Sequence, residues 1–285
     1  MNGKIIKILL AAVLMSFGAW QVAAQVCTPA PVGLVSAWSG DGDALDARSR
    51  SNGTLQGNVA YAAGKVGQAF NLPGNGETVV IGNPANLRLQ EFTIEAWVKR
   101  SSSSVVTNNP DAFNPGGIFF AYGQNGYAFI IDQPTGRLGL SSVGNSGVFS
   151  PNFTITDTNW HHVAVTRVGS PLIAGGQTIF YLDGAADTPM SYAPQFGFTS
   201  NAGIGARPDV GSNAFFGAID ELAIYNRPLA ASEIQSIFNS GTSGKCKPVA
   251  TTAPDNQVLW LAGDGDALDS SGNGNNGTLQ SGSVF

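Results

Sequence analysis

Through residues 32–226, apolar side chains recur at every second position in short runs, the period of half-buried strands. In Phe92–Arg100 (FTIEAWVKR), Phe92, Ile94, Ala96 and Val98 alternate with Thr93, Glu95, Trp97 and Lys99. Residues 159–167 (NWHHVAVTR) put Val163 and Val165 on one face. Residues 177–184 (QTIFYLDG) are apolar on both faces and end in Asp-Gly, a turn signal. Residues 215–226 (FFGAIDELAIYN) read as a further strand, with Asp220 on the face of Leu222 and Ile224 and Glu221 on the opposite, solvated face. One segment changes period: in 230–241 (AASEIQSIFNSG), Ile234, Ile237 and Phe238 lie at helical spacing and Gly241 marks the stop. Many short strands, Gly- and Asn-rich turns and one late helix predict an all-β fold, a two-sheet antiparallel jelly-roll sandwich with one short C-terminal helix.

Composition sharpens this reading. Only 12% of residues are charged and 37 of 285 are Gly, while 43% are apolar, enough for a real core. Lys4 and Lys7, then an apolar run from Ile8 to Ala19 and small residues at Ala23 and Ala24, form a secretory signal peptide over residues 1–24. The run is too short to span a bilayer, and no later segment is long and apolar enough, so no membrane insertion is expected. Losing that segment moves the formal charge from −5 to −7, which argues against nucleic acid or anionic lipid as partner.

The chain repeats itself over a long distance. GDGDALD stands at 40–46 and again at 263–269, each followed by Asn-Gly-Thr-Leu-Gln, and each preceded by an apolar run containing Trp and a Cys-x-Pro lead. So long an offset means tandem domains rather than a solenoid. The expected organisation is a module over 32–241, a linker over 242–256, exposed and rich in Ser, Thr, Lys and Pro, and the truncated start of a second module over 257–285. Cys27 and Cys246 flank the first module, and export would place them in an oxidising compartment. They either bridge each other, tying the module's ends together, or stay unpaired or bridge to neighbouring modules.

Seven motifs carry a resemblance: GLVSAW with the acidic loop and NGTL, GKVGQAF, FTIEAWVKR, NWHHVAVTR, FYLDG, IGARPD, and FFGAIDELAIYNRPLAASEIQSIF, in that order. Together they resemble the laminin-G-like branch of the concanavalin A-like lectin/glucanase superfamily, over Val32 to Gly241 and again at the start of the repeat. The resemblance implies a jelly roll of two curved sheets, used in secreted or surface proteins to bind glycans or proteins, often with a structural calcium ion. The acidic loop suits an ion on its own chemistry: Asp41, Asp43 and Asp46 crowd together, and two carboxylates about 4 Å apart repel by roughly 4 kcal/mol at an effective dielectric of 20. Calcium takes several oxygen ligands and would remove that cost. By the resemblance, Ca2+ would lie between Asp46 and Asp220, with backbone carbonyls near Asn52 and Gly53. The first copy departs from the family's Ser-Ser-Gly-Asn-Gly with Ala47-Arg48-Ser49-Arg50-Ser51, whereas the second keeps it at 270–274. The alternative is an exposed acidic turn with Asp220 paired to an arginine such as Arg48.

Catalysis is not expected. Retaining glucanases need two carboxylates on one strand face about 5–5.5 Å apart, and no Glu-x-Asp-x-Glu run occurs. His161 and His162 are adjacent on a strand, point to opposite faces and cannot share a metal; His162 reads as structural. Candidate sugar-stacking aromatics are Trp97, Phe119, Phe120, Tyr122, Tyr127, Phe129 and Tyr181, most of them expected in the core. The long irregular loop 101–117 is the expected place for ligand contact, through Asn108, Asn109, Asp111 and Phe113, with Tyr122 beside it. The partner is expected to be a glycan, or an extracellular protein in an adhesion or spacer role.

Overall fold

The structure, a computed structural model, describes residues 27–111, 116–169, 176–192, 194–246 and Gly277. The expected signal peptide over 1–24, the candidate Phe113, the expected linker beyond Cys246 and the repeat at 257–285 apart from Gly277 lie outside the described residues.

In chain order the strands are β1 (Leu34–Trp38), β2 (Thr54–Gln56), β3 (Ala60–Ala63), β4 (Gln68–Pro73), β5 (Thr78–Gly82), β6 (Phe92–Arg100), β7 (Gly116–Tyr122) and β8 (Tyr127–Asp132). They continue as β9 (Arg137–Ser142), β10 (Ser146–Thr154), β11 (Trp160–Val168), β12 (Gln177–Leu182), β13 (Ala185–Ala186), β14 (Met190–Ser191), β15 (Ala202–Ile204) and β16 (Phe216–Tyr225). Helix α1 (Ala231–Asn239) follows. One sheet has nine strands in the order β13-β12-β11-β6-β16-β4-β3, with β1 on β16 and β14 on β12; the other has seven, β10-β9-β8-β7-β15-β5-β2. The strand pairs within both sheets are antiparallel.

The alternation read in the sequence sets the layers. Phe92, Ile94, Ala96 and Val98 of β6 and Val163 and Val165 of β11 face inward, meeting Tyr127, Phe129, Ile131, Leu138 and Leu140 of the seven-stranded sheet in one core. Of the outward residues of β6, Thr93, Glu95 and Trp97 are also buried, while Lys99 is exposed. Helix α1 lays Ile234 and Ile237 over Ala164, Tyr181, Ala223 and Tyr225 on the outer face of the nine-stranded sheet, and Phe238 meets the Trp97 ring at 5.8 Å. The carboxylate of Glu233 accepts the Ala230 N–H at 2.8 Å, closing the helix N-terminus.

Two strand readings need correction, for one reason. A β-bulge interrupts β16 between Asp220 and Ala223, with Glu221 in the left-handed region at φ 54°. One inserted residue reverses the alternation. Leu222 and Ile224 still face the core, but Asp220 now shares the outer face with Ala223 and Tyr225. Glu221, expected in solvent, is 5% exposed.

The two cysteines bridge each other, with Cα atoms 4.7 Å apart. Residues 244–246 of the expected exposed linker are instead tied to the module, and its remainder from 247 lies outside the described residues. Thr28 and Lys245 form a parallel bridge, the Cys246 N–H donates to the Thr28 carbonyl at 2.8 Å, and Lys245 is buried. Residues around Thr28 and 244–246 form a strap that Lys245 ties to the β16 bulge at Glu221.

Candidate functional site

The acidic loop is a plug rather than an open turn. Strand β1 turns the backbone of Ala37 away from β16, where it would be left unpaired. The Ala37 N–H donates to Asp46 Oδ1 at 3.0 Å, and its carbonyl accepts the Ala47 N–H at 2.8 Å. Asp46 also accepts the N–H groups of Arg48 at 3.0 Å, Arg50 at 3.2 Å and Ser51 at 3.0 Å. Asn52 Oδ1 accepts the Asp46 N–H at 2.9 Å, and the Gly53 N–H donates to the Ala44 carbonyl at 2.7 Å. The Trp38 indole donates to the Ser51 carbonyl at 2.9 Å, locking the loop onto β1.

Asp220 holds a different piece of backbone. Its Oδ2 accepts the Val66 N–H at 2.8 Å, while Asp41 Oδ1 accepts the Gln68 N–H, also at 2.8 Å. Both carboxylates thus clamp the Gly64–Gly67 turn between β3 and β4. A side chain at Gly64 would come within 2.6 Å of Asp220 Oδ2, which explains the glycine in GKVGQAF. Burial, with the neighbouring Glu221 charge, pushes the Asp220 carboxyl up to about 7.

The expected calcium donors therefore do not make one shell. Each Asp46 oxygen already accepts two N–H groups, leaving it no lone-pair direction for a metal. Of the two expected carboxylates, only Asp220, through Oδ1, keeps an unpartnered oxygen, so any carbonyl oxygens of Asn52 and Gly53 would have no Asp46 oxygen to join. Calcium needs six to eight oxygens. No group of three or more His, Cys, Asp or Glu placed to hold a metal occurs among the described residues. The residues do not fit the ion, and no role is derived through it.

The outer face of the nine-stranded sheet carries a second polar cluster that the sequence did not disclose. Lys245 Nζ lies 2.9 Å from Glu95 Oε1 and 3.5 Å from Glu221 Oε2, and donates to the Glu221 carbonyl at 2.9 Å. His162 Nε2 meets Glu95 Oε2 at 3.1 Å, with both side chains fully buried. Burial alone would raise the Glu95 pKa, but Lys245 and His162 outweigh it and hold it below the usual range. Burial raises Glu221, with Lys245 opposing. His162 is structural in this setting, as its strand position suggested.

The loop residues chosen for ligand contact have mixed fates. Asn108 Nδ2 donates to the Pro73 carbonyl at 2.9 Å. Asn109 spends its side chain on the Gly211 carbonyl at 2.5 Å and the Ala214 N–H at 3.0 Å. Tyr122 is 1% exposed in the core, its hydroxyl 3.3 Å from the Pro84 carbonyl, so its ring has no face for a sugar. Asp111 does line a groove, its N–H donating to Asn213 Oδ1 at 2.7 Å.

That groove runs along the outer face of the seven-stranded sheet in two compartments of about 270 and 320 Å³, which share Ile130, Ser141 and Gly144. Its floor is small or apolar: Gly116, Ile118, Ala128 and Ile130, with Phe149 at the far end. Its rim is polar: Asp111, Gln124, Arg207 and Asn213 on one side, Asn145 and Ser146 on the other. Arg207 forks onto Asp209 at 3.1 and 2.8 Å, and Asp209 accepts the Gln124 N–H at 3.1 Å. Burial acts to raise the Asp209 pKa, and Arg207 outweighs it. Phe149 was missed; the turn residues Val143-Gly144-Asn145 between two runs could have flagged this hairpin.

Residues 73–235 match the laminin-G-type family described as the concanavalin A-like lectin/glucanases superfamily, and the chain belongs to that superfamily. Comparison with curated proteins gives no match. Among solved structures, domain 4 of a GH43 extracellular arabinanase from Geobacillus stearothermophilus, in complex with arabinotriose, superposes at TM-score 0.55 and 21% identity, covering 71% of this chain and 96% of that one. The binding domain of Paraclostridial Mosquitocidal Protein 1 gives 0.53 and 17%, covering 73% and 52%. Trypanosoma rangeli sialidase gives 0.52 and 19%, covering 75% and 35%. This chain thus spans about half of the toxin domain and a third of the sialidase. At these identities the likeness establishes the fold.

Proposed function

We propose that residues 27–246 form a non-catalytic glycan-binding module whose ligand lies along the outer groove of the seven-stranded sheet. The observation that carries the reading is the groove, with its small apolar floor under a rim of amide, hydroxyl and carboxylate groups. A sugar ring presents C–H faces and hydroxyl edges, and such a lining answers both. Arg207 is engaged by Asp209, so the rim favours a neutral glycan over an acidic one. The superfamily and the arabinotriose-bound neighbour support the ligand class. The closed Cys27–Cys246 bridge supports an extracellular setting. In this reading the acidic loop closes by its own hydrogen bonds and needs no calcium.

The test is affinity electrophoresis through neutral polysaccharides (arabinan, xylan, mannan) and acidic polygalacturonate, alongside a glycan array. Retardation by a neutral polymer is expected, lost in Ser141→Trp, which fills the shared centre of the groove. Silence across all glycans, or unchanged retardation of the variant, would overturn the reading in favour of a protein-adhesion or spacer module.

A further inference from the structure

A separate cleft opens on the opposite side of the sandwich, between the strap and the acidic loop. It measures about 310 Å³ and its walls are mainly apolar, including Leu34 and Ala37 of β1, Leu45 of the loop and Cys246 of the strap. Glu221 and Lys245 also line it, and they are 5% and 8% exposed.

The polar contacts around these two groups leave one kind of vacancy. Lys245 donates to the Glu221 carbonyl at 2.9 Å and ion-pairs with Glu95 Oε1 at 2.9 Å and Glu221 Oε2 at 3.5 Å, so its charge is already shared between the two carboxylates. Glu221 Oε1 is buried and has no hydrogen-bond partner. A buried carboxylate oxygen left so is costly, and a donor carrying positive charge would satisfy it best. Asp43 and Asp46 also line the cleft; the Asp46 oxygens are taken by backbone N–H groups, but its charge adds to that of Asp43 and Glu221 against the one ammonium of Lys245. Leu45 is 57% exposed, an uncovered apolar surface at a lined cavity.

We propose that this cleft binds a primary ammonium on an apolar stem, the stem against Leu34, Ala37 and Leu45 and the ammonium on Glu221. A carboxylate ligand meets repulsion there, and an alcohol of equal length gains the apolar contact without the charge. The site is independent of the glycan groove, so Ser141→Trp leaves it intact. The chemistry is shared by free alkylamines and by lysine side chains.

The experiment is titration of the full chain with hexylammonium, hexanol and hexanoate, followed by calorimetry and by protein NMR shifts. Nα-acetyl-lysine amide and glucosamine form a second arm, the first representing a protein partner's lysine and the second an amine without an apolar stem. Hexylammonium is expected to bind at least about tenfold tighter than hexanol, with hexanoate and glucosamine inert. Glu221→Gln should erase the difference between amine and alcohol. Leu45→Ala, at an exposed position, should weaken both about threefold without changing the melting temperature. Binding of the lysine amide comparable to hexylammonium assigns the site to a protein lysine; hexylammonium alone assigns it to a free amine. Equal affinity for amine and alcohol in the native chain would overturn the proposal, a result that does not require Glu221→Gln to fold.

Discussion

His161 shows how one side chain can carry a pH dependence. Its Nδ1 lies 2.8 Å from Asp183 and its Nε2 3.0 Å from Asp157. The Asp183 contact, aided by Asp157, raises its pKa above the ordinary 6.5. A group whose folded-state pKa is raised contributes all its stabilisation below the unfolded value and loses it as pH rises through the folded value. Both carboxylates are partly exposed, so the effect is about 1 kcal/mol or less. His161→Gln should therefore melt below the native chain in mildly acidic buffer, and the gap should close above neutrality. Thermal melts at several pH values check this; a gap that widens with pH would refute it. The pair also anchors the β12–β13 turn, where Asp183 sits at φ 49° and accepts the His162 N–H at 2.9 Å.

At the scale of elements, the acidic loop and the β16 bulge decide what the sandwich can do. Asp46 closes the outer edge of β1, where unpaired N–H and C=O groups would otherwise invite another strand. Asp46→Ala leaves four N–H groups without their acceptor and should cost about 3–5 kcal/mol, measured by urea denaturation. Because four N–H groups already fill the Asp46 oxygens, the native melting temperature should be the same in excess calcium and in chelator. A calcium-dependent rise that Asp220→Asn abolishes would reinstate the ion. The strands were legible because β6 and β11 keep their alternation and β12 is a short apolar run closed by an Asp-Gly turn, and the helix because its period differs. It located the acidic loop but not its partners, since backbone N–H groups leave no mark in the residue pattern. The bulge was hidden because Asp220-Glu221 reads as ordinary alternation until an extra residue is counted against β6. The groove was legible only through Asp111, since its floor comes from strand faces that looked like core.

On the scale of the whole molecule, the strap closes a chain separation of 219 residues with one covalent bond and places a buried lysine beside it. A bridge over so long a loop constrains the unfolded chain by about 5 kcal/mol in the chain-entropy picture. Lys245 adds an ionic anchor one residue away. Burial acts to lower its pKa, but Glu95 and Glu221 outweigh it, so it stays charged among carboxylates that need it. Lys245→Met should cost about 3–5 kcal/mol, because it leaves buried acids unpaired, and Glu95→Gln in the same chain should return part of that loss. The two anchors hold the same short segment, so their losses should not add. Once Lys245 is gone the strap is already loosened, and reducing the disulfide should then cost at least about 1 kcal/mol less than in the native chain. Urea denaturation of both proteins, with and without reductant, completes the cycle. Strict additivity would mean that bridge and ion cluster stabilise separate parts of the sandwich, and that the cleft between strap and acidic loop keeps its shape without the bond at its wall.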